Sequence, residues 1–343
     1  MKSPLSKRAF ISQMKEYLMN ILFIIDKIEL KYFEFNNLVT NFWIIKEFLK
    51  RGYNVEITTE DKLSIVDLKA RAISYKSYLK DEDILYEKVE HYSNIEDFDL
   101  VMFRQDPPVD LNYINSTYIM DFVDQSKVLI MNNPQAIRSF NEKLHALYFA
   151  EYMPEALVTS DKKTIKEFLA KNKEIILKPL NLCFGANVMF LKENDVNTNS
   201  IIKSMTNDGQ TLIMCQKYIP EAKFGDKRVL TLGDTVLDEC VQKLPTKDDF
   251  KFNTHSDDFI KKAVLTEEEK RRFTEVAKKL NSMGIYMAGL DVINSQIIEV
   301  NVTSPCYFIK EINNHFSTNL EVKICDYIVS KVQEHLKEKH LCN

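Results

Sequence analysis

The stretch Leu290-Asp291-Val292-Ile293-Asn294-Ser295-Gln296-Ile297-Ile298-Glu299-Val300-Asn301 reads as two apolar strands meeting at a polar turn, each interrupted by a carboxylate. Glu299 and Asn301 stand two residues apart and so share one face of their strand. With an odd number of loop residues, such as 294–296, Asp291 falls directly opposite Glu299 on that face. Three oxygen donors then converge. Two carboxylates and an amide leave coordination positions open, which suits magnesium held jointly with nucleotide phosphates. The other reading is an edge hairpin with solvated acids, but acids flanked by Leu, Val and Ile are costly to bury without a cation.

Around this hairpin lie further antiparallel strand candidates at 211–216, 228–232 and 235–242. A helix over 266–283 carries Phe273, Val276, Ala277 and Leu280 at helical spacing, and 246–262 is polar, without period, and reads as a loop. Upstream, 21–25 is a short apolar run of the buried-strand kind. A helix over 42–50, closed by Gly52, and a strand over 55–58 make the opening β-α-β. A strand at 98–103, the turn Asp106-Pro107-Pro108, a helix at 111–125 and a strand at 128–131 complete an α/β unit. Such sheets bind ligands at the carboxyl ends of their strands. A second unit starts near Asn133-Pro134 with a helix at 141–151, a strand at 156–158, a helix at 163–171 and a strand at 174–178. A small-residue turn at 181–187, a strand at 188–191 and a polar stretch to Gly209 follow.

Composition narrows the chemistry. The 343 residues include only seven glycines, where average usage would give roughly 24. They stand alone, so neither Gly-x-Gly-x-x-Gly nor the Walker loop can be written anywhere. A net charge of -4 argues against a dedicated nucleic-acid binder. No apolar run is long enough for a membrane span. The six cysteines form no Cys-x-x-Cys pair and read as reduced thiols of a cytoplasmic protein. Residues 1–18 carry Lys2, Lys7, Arg8 and Lys15 against Glu16; either Met19 is the true start or the segment is a disordered tail.

Several single residues interrupt their surroundings. Lys178 ends the apolar run Glu174-Ile175-Ile176-Leu177, where a strand-end lysine either meets phosphate or is solvated. Lys143 falls in the first turn of the 141–151 helix, against the positive end of the dipole, which suggests an anionic partner. Arg228 opens a strand after Gly225-Asp226-Lys227 and suits a transferring phosphoryl group, with Asp226 as acceptor for a ribose hydroxyl. Met214-Cys215-Gln216-Lys217-Tyr218-Ile219 leaves the core as a connector whose backbone amides could read an adenine edge. The six histidines are scattered, and none forms a triad arrangement.

The order of these elements resembles the ATP-grasp superfamily, and within it the bacterial glutathione synthetases, from about residue 98 to the last helix. Phe103-Arg104-Gln105-Asp106-Pro107-Pro108 is similar to the family's Met-Arg-x-Asp-Pro-Pro turn. Asn141-Glu142-Lys143-Leu144, Ile176-Leu177-Lys178-Pro179-Leu180, Gly225-Asp226-Lys227-Arg228-Val229-Leu230, Gly289-Leu290-Asp291 and Glu299-Val300-Asn301-Val302-Thr303-Ser304-Pro305 follow in the family's order. The resemblance implies an α/β ATP-grasp fold with an N-terminal Rossmann-like, pre-ATP-grasp domain. Its divisions are an extension over 1–18, that domain over 19–135, a small lid domain over 136–210 and a large domain with the metal hairpin over 211–338. It implies that Lys143 and Lys178 contact the ATP phosphates, and that Gln216, Lys217, Tyr218 and Ile219 hold the adenine. Asp226 serves the ribose, Arg228 faces the transferred phosphoryl group, and Asp291, Glu299 and Asn301 ligate Mg2+ or Mn2+. Arg104, Lys251, Ser304 and Pro305 fall at substrate positions, and Asn181, Cys183, Phe184 and Gly185 in the lid.

The implied reaction joins γ-glutamylcysteine to glycine through an acyl phosphate, with nothing covalent formed on the enzyme, in a cytoplasmic homo-oligomer, a tetramer by family association. Catalysis then rests on positioning and charge neutralisation. Three departures stand out. The family lid Asp-Gly-Met-Gly-Gly is here Asn181-Leu182-Cys183-Phe184-Gly185. The glycine-rich substrate loop with its Arg-Gly-Asn is here 247–258 with Lys251-Phe252-Asn253, and the N-terminal Lys-Asp-Ser segment is replaced by Phe35-Asn36-Asn37-Leu38-Val39-Thr40. These leave open a related carboxylate-amine ligase with another substrate, or an ATP-binding homologue without ligase activity.

Overall fold

The computed structural model describes residues 18–31, 39–183, 185–245, 259–305 and 307–342. The expectations for 1–17, for Phe184, for Lys251 and for the 246–258 segment lie outside these residues.

The apolar run at the start forms β1 (Asn20–Ile25), followed by a short helix α1 (Lys27–Lys31), α2 (Thr40–Lys50) and β2 (Asn54–Thr59). Residues 21–25 of β1 are all apolar and buried because the strand is covered on both faces and pairs in parallel with β2 on one side and β7 on the other. The chain then makes β3 (Leu63–Val66), β4 (Lys69–Lys80), β5 (Asp83–Tyr86) and β6 (His91–Asn94) before β7 (Leu100–Phe103), α3 (Leu111–Ile119) and β8 (Leu129–Met131). The sheet order is β3-β4-β2-β1-β7-β8, with β5 and β6 also on β4. The antiparallel excursion β3 to β6 has no counterpart in the sequence reading. β4 buries only alternate residues, so its apolar signal is diluted by polar partners. The carboxyl ends of the parallel strands β1 and β7 deliver Asp26 and Arg104-Gln105-Asp106 to one edge of the sheet.

After α4 (Pro134–Arg138), the segment expected as a helix over 141–151 is a turn followed by a 3₁₀ helix, His145–Tyr152, kinked at Phe149. Lys143 therefore sits in the turn and not in an α-helical first turn. The side chain of Asn141 accepts from the amides of Lys143 (3.1 Å) and Leu144 (2.9 Å), a local bond that competes with helix. The second sheet contains β9 (Ala156–Thr159), β10 (Glu174–Pro179), β11 (Met189–Lys192) and β12 (Ile213–Lys217) in the order β11-β10-β12-β9. It is packed by α5 (Lys162–Asn172) and α6 (Thr198–Met205), the latter falling in the stretch read as merely polar. β12 belongs to this sheet and does not open the third region as the boundary after residue 210 supposes. It is the central partner of both β10 and β9.

The third sheet is β16-β15-β13-β17-β18, with β14 on β13. Its strands are β13 (Asp226–Leu232), β14 (Thr235–Val236), β15 (Glu239–Lys243), β16 (Ile260–Val264), β17 (Met287–Ile293) and β18 (Gln296–Asn301). β16 takes the end of the segment expected as a loop over 246–262, because 260–264 pairs with β15. α7 (Glu267–Ser282) starts at a capping box, Thr266 with Glu269, and lays Phe273, Val276 and Leu280 on one face of the sheet. α8 (Ile309–Phe316) and α9 (Leu320–Cys342) cover the other. One apolar core runs from Phe23 and Ile25 of β1 through Phe48 of α2 and Ile324 and Ile328 of α9 to Leu230 and Met287. The first and third sheets are thereby fused, and a cavity opens where all three sheets meet.

Candidate active site

The hairpin of β17 and β18 places Asp291 directly opposite Glu299 and Gly289 opposite Asn301, as the acid-rich pattern requires. The means differ from the expected odd-numbered loop. The turn has two residues, Asn294 and Ser295, both left-handed (φ 49 and 59), which is the geometry of a tight hairpin. By itself that turn would set Glu299 opposite Leu290, on the wrong face. A β-bulge shifts the register between Asp291 and Val292, where Val292 pairs Ile297 and Asp291 pairs Glu299, and Ile298 is the extra residue.

Three cations meet these acids, and a fourth, Lys178, lies beside them. Arg228 grips Asp291 with both arms of its fork, Nε to Oδ1 at 2.7 Å and Nη2 to Oδ2 at 3.1 Å. Lys243 Nζ lies 3.0 Å from Asp291 Oδ1 and 2.8 Å from Asp226 Oδ2. Lys143 Nζ donates to Glu299 Oε1 at 3.0 Å and to the Leu182 carbonyl at 2.7 Å. Lys178 Nζ donates to Gln216 Oε1 at 2.8 Å and, at 3.2 Å, to the carbonyl of the bulged Ile298. Burial pushes the Asp291 carboxyl up, but Arg228 and Lys243 outweigh it and hold the group well below the usual carboxylate range. Asp226 is pushed up to about 7, by burial first and then against the pull of Lys243. Burial disfavours the charge on Lys143, yet Glu299 raises its ammonium above the ordinary value. Lys178, without so close an acid, is lowered by burial to about 8.

All of these side chains line one cavity of about 560 Å³, within the ~300–1,000 Å³ of small-molecule sites. Gln216, Lys217, Tyr218 and Ile219 line it too, with Tyr218 against Phe190 (ring centres 4.7 Å apart). The amides of Lys217 and Tyr218 are taken by the carbonyls of Glu155 and Glu174, so they are not the ones to read a base. Two buried polar atoms in the wall have no hydrogen-bond partner among the described residues, Gln216 Nε2 and Asp226 Oδ1. Cys183 and Gly185 of the lid segment face the cavity, while Asn181 accepts from Asn141 Nδ2 at 3.0 Å and lies outside the lining. Arg104, Ser304 and Pro305 line it as well. Arg104 is bound by its neighbours, Nε to Asn41 Oδ1 at 2.8 Å and Nη2 to the Pro305 carbonyl at 3.0 Å, and so ties the first sheet to the 303–305 loop.

Two groups escaped the sequence reading. Lys243 ends a buried strand just as Lys178 does, one residue beyond the expected strand end at 242, and carries the same signal of a lysine closing a strand. Glu142 accepts from the amides of Val302 and Thr303 and from the Thr303 hydroxyl, which fixes the loop beyond β18. Nothing in a lone Glu announces such a partner 160 residues away. Two glycines next to the site residues serve close approach. A Cβ at Gly289 would stand 3.2 Å from Arg228, and one at Gly225 would run into the Lys243 carbonyl.

The donor set fits a divalent metal: two carboxylates on one sheet face, an amide beside them whose nitrogen turns to Asp291 Oδ2 (3.2 Å), and no thiol or imidazole. Among the described residues no group of three or more His, Cys, Asp or Glu converges, so the two acids and Asn301 are the set available. Solved structures share this architecture at low identity. A D-cycloserine synthetase superposes with a TM-score of 0.65 at 12% identity, covering 91% of this chain and 99% of its own. D-alanyl-alanine synthetase A from Vibrio cholerae gives 0.58 at 12% identity, covering 94% and 99%. The fold is that of the ATP-grasp ligases, a class that uses ATP and divalent metals.

Within that class, models of the prokaryotic glutathione synthetase N-terminal domain and ATP-grasp domain match residues 19–138 and 142–317. Glutathione synthetases from Nostoc sp. (34% identical, 82% of this chain and 90% of theirs) and from Escherichia coli K12 (32%, 86% and 94%) are similar over nearly their whole length. The chain belongs to the prokaryotic glutathione synthetase family.

Proposed function

We propose that the chain joins γ-glutamylcysteine to glycine at the expense of ATP, in the roles its cavity residues suggest. The observation that carries this is the meeting, in one cavity, of Lys143, Lys178, Arg228 and Lys243 with the Asp291, Glu299 and Asn301 face. A nucleotide laid there meets Lys178 and Lys143 with its phosphates, and offers its ribose to the orphaned Asp226 oxygen and a base acceptor to the orphaned Gln216 nitrogen. The adenine edge is read by the backbone of Ile219, since its two predecessors are engaged. Asp291, Glu299 and Asn301 would hold Mg2+ or Mn2+, which neutralises phosphate charge when bound.

Arg228 and Lys243 then face the phosphoryl group as it passes to the C-terminal carboxylate of γ-glutamylcysteine. The glycine amine attacks the carbonyl carbon, the C–N bond forms, the C–O bond to phosphate breaks, and the amine releases a proton. Positioning and fixed charge are the protein's whole contribution. Arg104 supports the 304–305 end of the cavity, where the substrates sit. The free thiols Cys215, Cys240 and Cys325 support a reducing, cytoplasmic setting.

The test is ADP release coupled to γ-glutamylcysteine and glycine with each metal in turn. Turnover that needs both substrates is expected. Turnover on another γ-glutamyl or dipeptide substrate alone would move the chain to a related ligase, and none on any would remove the activity.

A further inference from the structure

Phe308 sits in the left-handed region (φ 49, ψ 46) as the residue leading into α8. Most of the other described residues at positive φ are Asn, Asp, Ser or Gly in turns, the residues that tolerate it. An aromatic held there costs free energy, and such outliers persist where the surroundings over-determine them, often at a ligand site. The surroundings here do so. The Tyr307 amide donates to Thr40 Oγ1 at 2.9 Å, Arg104 grips the Pro305 carbonyl, and the Ile312 amide closes on the Phe308 carbonyl at 2.9 Å.

The ring borders the cavity beside Arg228, whose guanidinium carbon lies 6.0 Å from the ring centre. Bare Gly289 flanks Arg228 on another side, where an added Cβ would come within 3.2 Å of Arg228 and 3.4 Å of Pro305 Cβ. Arg228, Pro305 and Phe308 thus line the cavity together, and behind Arg228 the Gly289 position has no room for even one added methyl.

We propose that Phe308 limits the size of the acceptor amine. Its ring fills the room a side chain would need beside the activated carboxyl, so that glycine enters and amino acids with a Cβ are turned away. This rests on the reading above that the acceptor is glycine. A pocket wall of this kind discriminates a single methyl by roughly 10–200-fold.

The experiment compares kcat/KM for glycine, L-alanine and L-serine, with γ-glutamylcysteine and ATP-metal saturating, in the wild type, Phe308→Gly and Phe308→Tyr. Phe308→Gly removes the ring and suits the left-handed backbone. Its alanine-to-glycine ratio should rise at least ~tenfold, while Phe308→Tyr keeps the wild-type ratio. Should Phe308→Gly melt far below the wild type, Phe308→Asn, which tolerates the same backbone, carries the same expectation. An unchanged ratio in the opened variants overturns this inference alone. A wild type that does not turn over γ-glutamylcysteine with glycine overturns both readings, since no glycine site then exists to be bounded.

Discussion

Lys178 shows how one residue's chemistry depends on neighbours far along the chain. Its position at the end of an apolar run was visible in the sequence. Its lowered basicity was not, because that comes from burial beneath Gln216 of β12 and the Ile298 carbonyl of β18. The unfolded chain keeps this proton to about 10.5 and the folded one to about 8. Between those values unfolding takes up a proton, so this lysine makes the protein more stable as pH rises. Function runs the other way. Above about pH 8 the ligand-free enzyme loses a charge that meets the phosphates, and KM for ATP should climb by up to about tenfold per pH unit. Lys178→Arg, which stays charged, should flatten that climb. An equally steep profile in the arginine variant would show that another group sets it.

At the scale of elements, the hairpin of β17 and β18 was the most legible part of the molecule. Two apolar runs with acids at matched places can satisfy those acids only by facing them together. The expected three-residue turn is in fact a two-residue turn with a bulge, which has the same net effect on register. Alternation alone does not separate the two. They differ in consequence, because the bulge also presents the Ile298 carbonyl to Lys178. Deleting Ile298 makes the ladder continuous while Glu299 still follows to meet Asp291. Metal dependence should survive and KM for ATP should rise about tenfold, the worth of one hydrogen bond to a charged group. Metal titration of the deletion variant, with its melting temperature as a control for folding, reads both. Loss of metal dependence at intact folding would mean that the bulge itself sets the acid pair.

Across the whole molecule, the cavity takes Asp106 from the first sheet, Lys178 and Gln216 from the second, and Arg228, Lys243 and Asp291 from the third. A ligand that binds there binds only the assembled fold, so ATP with metal at 100 times its dissociation constant should stabilise the protein by about 2.7 kcal/mol. Melting followed by calorimetry should shift upward with ATP and metal together and much less with ATP and a chelator. Equal shifts would mean that the nucleotide does not engage the acid face.

Local pattern was sufficient for the α/β class, the acid hairpin and the strand-end lysine, because periodicity and misplaced charge are properties of neighbours along the chain; Arg228, expected to open its strand, stands third in β13. Which strand joins which sheet, the entry of Lys243, the bracing of the 303–305 loop by Glu142 and Arg104, and the ring of Phe308 beside Arg228 came only with packing. Each of these is a contact between residues tens to hundreds of positions apart, and its free energy exists only once the core that fuses the first and third sheets has closed.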